Sequence, residues 1–143
     1  MNTWTRGWTA SEGEHLLSAM CSPAGLTFCR QEIPAVRGFA AAFGARAGLA
    51  GSQLADFVLA VSEAAACAVS HGPATARLRL RSAGARVLGE VRAEGMLSVY
   101  GPGVPGHGDT DRLRRGLLRQ ICEYVSFDAG PYGVTVRFSV TVV

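Results

Sequence analysis

Apolar and polar positions recur with two different periods along this chain, and each change of period marks an element. Leu26 to Glu32 reads as a first strand, closed by Ile33-Pro34 because the residue before a proline avoids the helical region. Pro34 suits the first turn of a helix running to about Ala47, where Val36, Phe39, Ala40, Phe43 and Ala47 repeat at three and four residues. Gly48-Leu49-Ala50-Gly51 breaks that stripe. Ser52 then suits the N-cap of a longer helix reaching His71, with Gly72-Pro73 as its stop. Leu54, Phe57, Val58, Val61, Ala65 and Ala68 share one face of this second helix, while Asp56, Ala60, Glu63, Cys67 and His71 line up on another. A stripe with those polar groups, on a helix this apolar, faces either solvent or a cavity.

The period then shortens to two. Arg77-Leu78-Arg79-Leu80-Arg81 sets leucines on one side and arginines on the other, and Val87 to Arg92 follows after a hairpin-like break at Ser82-Ala83-Gly84-Ala85. Gly95 to Tyr100 can extend this as a strand or edge, and Gly101 to Gly108 is a Gly/Pro loop. A third helix is expected over Thr110 to Tyr124, with Leu113, Leu117, Ile121 and Val125 at four-residue intervals. The end reads as a hairpin: Val125 to Asp128, a turn at Ala129 to Gly133, then Val134 to Val142 in strict alternation. The order β-α-α-β-β-loop-α-β-β predicts an α/β two-layer sandwich, a mostly antiparallel sheet with helices on one face. Residues 1–25 read as an N-terminal extension and 26–143 as one domain.

Composition narrows the function classes. Charged residues are 17% and apolar ones 48%, the balance of a globular chain rather than a disordered one. The longest apolar stretches are interrupted short of the ~20 residues of a bilayer span, and the N-terminus lacks a secretion signal, so a cytoplasmic protein is expected. Cys21, Cys29, Cys67 and Cys122 have no paired CxxC spacing, which points to buried or half-buried thiols rather than a metal site or disulfide framework. All 14 basic residues are arginine, a usage that suits a GC-rich bacterial genome. No helix-turn-helix, zinc or ribbon signature accompanies the arginine clusters, so an acidic protein face is a better match than nucleic acid.

The second helix carries a more specific pattern. Glu63-Ala64-Ala65-Ala66-Cys67-Ala68-Val69-Ser70-His71-Gly72 resembles the first ATP-binding box of the anti-sigma-factor serine/threonine kinases, Glu-Ala-x-x-Asn-Ala-x-x-His-Gly. That family belongs to the GHKL superfamily, with the histidine-kinase-like ATPase fold. The resemblance implies that Glu63 activates the attacking group. It also puts a magnesium-holding Asn at position 67, which here is Cys67, a poor donor for a hard cation. The second box, Asp-x-Gly-x-Gly, falls on Ala93-Glu94-Gly95, so the adenine-binding Asp is Ala93 while Gly95 survives. The phosphate-cradling Gly-x-Gly-Leu falls on Arg114-Arg115-Gly116-Leu117, where the first Gly is an arginine. Pro131 to Phe138 resembles the closing Gly-Thr-x-Val strand.

The resemblance covers about residues 26–143. It implies a degenerate nucleotide pocket formed by Glu63, Cys67, His71, Ala93, Gly95, Arg115, Gly116 and Leu117, with no metal and no cofactor. The expected function is regulatory: binding a sigma factor or an anti-anti-sigma partner without phosphorylating it, as a homodimer where relatives dimerise. The alternative keeps Glu63 as a live base, with ATP and Mg²⁺ as cofactors and the anti-anti-sigma protein as substrate.

Overall fold

A computed structural model of the chain describes residues 24–69, 75–94, 109–130 and 133–142. Five strands form one sheet: β1 (Ala24–Cys29), β2 (Thr75–Ala83), β3 (Arg86–Glu94), β4 (Tyr124–Gly130) and β5 (Gly133–Thr141). Their order is β1-β2-β3-β5-β4, and every neighbouring pair is antiparallel. Three helices accompany them: α1 (Ile33–Arg46), α2 (Gly51–Val69) and α3 (Asp109–Ile121). The molecule is thus an α+β fold with an open antiparallel sheet.

Alternation along the strands decides which side is covered. Leu78 and Leu80 on β2, Val87, Val91 and Ala93 on β3, and Val134, Val136, Phe138 and Val140 on β5 join one core cluster with Phe57, Ala60, Val61, Ala64, Ala65 and Ala68 of α2. Val36 and Ala40 of α1 and Leu118 of α3 also belong to it, as does Phe28 of β1. At ~25 cal/mol per Å² of apolar surface removed from water, this cluster is the main stabilising feature. One close approach shapes its centre. Gly89 pairs with Phe138 across β3 and β5, and a Cβ at Gly89 would fall inside the Phe138 ring.

Element boundaries shift from expectation for local reasons. The first strand starts at Ala24 and ends at Cys29, because a 3-10 turn (Arg30–Glu32) intervenes before α1. There the Cys29 N–H donates to Glu32 Oε1 at 2.9 Å. Hydrogen bonds from the Cys29 thiol and backbone hold the Glu32 carboxyl below the usual carboxylate range. β2 and β3 are each longer than their alternating cores, and the β2–β3 hairpin turns at Gly84, where φ of 60° suits glycine. The third helix stops at Ile121, so Val125 belongs to β4. Leu113 is 75% exposed and takes no part in the core; Leu118 is buried in its place.

By length and apolarity α2 passes as a membrane span, but half of that window is buried in the fold. It is the central core helix. The predicted polar stripe on it is divided by packing. Asp56 is exposed, Glu63 is half-buried, and Ala60 and Cys67 lie inside. The Arg30 Nη2 donates to the Val69 carbonyl at 2.9 Å, satisfying one of the terminal carbonyls of α2.

Candidate functional site

The site can be built from the two helices that carry the sequence pattern. On α2, the apolar side packs on the sheet and turns Glu63 toward α3, whose own buried contact is Leu118. Arg114 Nε donates to Glu63 Oε2 at 3.2 Å. Glu63, Thr110, Leu113, Arg114 and Leu117 line an open cleft of about 230 Å³ between the helices. Both charged side chains are about a quarter exposed, at 25% and 26%. Water screens such a pair, so its contribution to stability is about 0–1 kcal/mol. Glu63 Oε2 accepts from the guanidinium, while among the described residues Oε1 keeps its own acceptor sites.

The segment expected to cradle phosphate has a different geometry. Arg114, Arg115, Gly116 and Leu117 lie well inside α3, which has already run for more than a turn from Asp109. Amides at those positions donate to carbonyls four residues earlier, so they are not available to a phosphate as those of a helix start are. Gly116 is exposed, and a Cβ there would meet nothing within 4 Å. Arg115 turns away from Glu63. Its guanidinium carbon lies 4.5 Å from the Phe127 ring centroid on β4, and that of Arg119 lies 5.5 Å from the same ring.

The remaining predicted residues separate into two groups. Ala93 is fully buried in the core and pairs with Val134, and Cys67 is 3% exposed, so neither opens to solvent. His71 and Gly95 lie outside the described residues. The structure therefore brings together Glu63 and Leu117, adds Arg114, Thr110 and Leu113, and leaves Arg115 on the β4 side. Cys29, Cys67 and Cys122 are in no disulfide, and burial pushes the Cys122 thiol up to about 12.

A second charged constellation lies on the opposite face of the sheet, where sequence reasoning had no candidate. Arg137 Nε donates to Glu90 Oε2 at 3.1 Å with both side chains almost fully buried, and Arg137 Nη1 donates to Asp128 Oδ2 at 3.1 Å. Glu90 and Arg137 are direct cross-strand partners on β3 and β5. The signal in the sequence is the pairing of an outward Glu on one strand with an outward Arg on another, which is visible only once register is known.

No protein-family profile matches the chain, and no curated protein matches it.

Proposed function

We propose that this chain is a non-catalytic regulatory protein of the anti-sigma-factor kind, with a histidine-kinase-like ATPase scaffold whose nucleotide site has lost its function. The scaffold reading is supported by the order of elements, by an antiparallel sheet with helices on one side, and by the ordered motifs from Glu63 to Phe138. The observation that carries the loss of catalysis is that Cys67 and Ala93, at the expected metal and adenine positions, are both buried and offer no side-chain oxygen, with the Glu63–Arg114 pair as a lesser sign. The residue standing at the first glycine of the phosphate loop reaches back to the carboxylate that would act as base. With Cys67 at the metal position and Ala93 at the adenine position, phosphoryl transfer would lack charge neutralisation and base anchoring as well.

The partner is then a sigma factor or an anti-anti-sigma protein, bound in the cytoplasm, with a homodimer as the working assembly. No metal and no ATP take part in this reading. Incubation with labelled Mg-ATP and an anti-anti-sigma protein tests it. No phosphate is transferred, and Glu63→Ala leaves that result unchanged. Transfer abolished by Glu63→Ala would instead establish the active kinase.

A further inference from the structure

Among the described residues, Leu113 and Leu59 are the exposed large hydrophobic side chains, at 75% and 40%. Scattered exposed leucines need no explanation, because much of any protein surface is apolar. These two are not scattered. Leu59 stands one turn before Glu63 on α2, and Leu113 lines the cleft with Leu117, Thr110, Glu63 and Arg114. The two lips of that cleft differ in charge. Asp56, Leu59 and Glu63 recur at three and four residues along α2 and form one stripe, with Asp56 and Leu59 exposed and Glu63 half-buried. Across the cleft, α3 carries four arginines against two aspartates, and both aspartates fall in its first turn. Arg112 is exposed, and Arg114 meets Glu63 at the lip. One lip is therefore acidic and the other basic, with leucines on both.

We propose that the α2–α3 cleft docks an amphipathic helix of a protein partner. The partner's apolar stripe lies over Leu59, Leu113 and Leu117. Its carboxylates run along the edge that meets Arg112, and its cations along the edge that meets Asp56 and Glu63. Three observations select that occupant. An open groove between two helices, with apolar anchors at helical spacing, is the kind of surface that receives a helix laid lengthwise. The opposed charges of the lips complement a helix whose apolar stripe has acids on one side and bases on the other, and they fix its direction. Size points the same way. The cleft holds about 230 Å³, below the ~300–1,000 Å³ of ordinary small-molecule sites, so it suits an apolar side chain of a larger partner better than a nucleotide. The proposal rests on the reading of this cleft as a nucleotide site out of use, because bound nucleotide would occupy the same residues.

Fluorescence anisotropy with the full-length chain and a designed, fluorescein-labelled helical peptide of about 16 residues tests it. The peptide carries leucines at three- and four-residue spacing, glutamates along one edge of that stripe and arginines along the other. Saturable binding is expected, with a Kd of about tens of micromolar. A control with serines for the leucines, and one with lysines for the glutamates, should each bind about tenfold more weakly or worse. Leu113→Ser should weaken the parent peptide by about tenfold, and Arg112→Glu by about threefold or more at low salt. Both positions are exposed, so both variants should fold, with far-UV circular dichroism as the check. No saturable binding up to millimolar peptide would overturn the proposal. So would binding that neither folded variant weakens. A dimer in gel filtration that Leu113→Ser dissociates would assign the cleft to a second copy and also overturn it. Displacement of the peptide by micromolar Mg-ATP would overturn both the docking and the reading of a disused nucleotide site, whereas failure of peptide and Mg-ATP alike to bind would overturn the docking alone.

Discussion

Two arginine–carboxylate pairs of nearly equal length hold opposite sides of this molecule, 3.2 Å for Arg114–Glu63 and 3.1 Å for Arg137–Glu90. The first bridges two helices at the lip of a cleft, with a quarter of each side chain in water. The second spans two central strands, at 2% and 3% exposure. Distance alone would rank them together. Burial separates them, because an ion pair in water gains little while a buried pair cannot lose one partner without stranding the other. The wet pair is therefore free to serve a functional site, and the dry one is part of what keeps the fold intact.

The largest expected effect follows from breaking the dry pair. Arg137→Ala leaves Glu90 charged and buried, and should lower unfolding free energy by about 3–5 kcal/mol in urea titration. A double Arg137→Met, Glu90→Leu variant should recover most of that loss, since an apolar pair of similar size strands no charge. A double variant as unstable as the single one would mean that packing, and not charge, is what Arg137 supplies.

Burial governs a second group, immediately after the helix that carries Arg114. The Cys122 thiol is raised from an ordinary value of 9.0 to about 12 by desolvation. Between those values the folded chain keeps a proton that the unfolded chain releases, so stability is complete below about pH 9 and declines as pH rises. The decline should reach roughly 1–3 kcal/mol near the top of that window, and Cys122→Ala should flatten it. Equal slopes for both proteins would contradict the assignment.

The smallest effect belongs to the wet pair. Arg114→Ala should change stability by less than about 1 kcal/mol, read from the same denaturation curves. A loss comparable to that of Arg137→Ala would erase the contrast between the two sites.

Much of the architecture was readable from periodicity, because amphipathic helices and alternating strands each bury one side. Val134 to Val140 on β5 and Phe57 to Ala68 on α2 show this plainly, and the five strands and three helices lie close to their expected positions. Boundaries and third-dimension partners were less legible. Leu113 has helical spacing yet is 75% exposed, since α3 meets the sheet through Leu118. Ala60 and Cys67 shared a stripe with Glu63, but α2 is enclosed widely enough that only part of the stripe meets the cleft. Arg114 stood out in the sequence as a departure from the expected Gly-x-Gly-Leu pattern, whereas its contact with Glu63 depends on how α3 lies against α2. The Arg137–Glu90 pair depends on strand register across 47 residues, which no local pattern encodes.

The most direct test of a closed nucleotide site is calorimetric titration of the full-length chain with Mg-ATP. The Glu63–Arg114 pair, Cys67 and Ala93 together predict no saturable heat up to millimolar nucleotide. A saturable isotherm with micromolar Kd, lost on Glu63→Ala, would contradict the account.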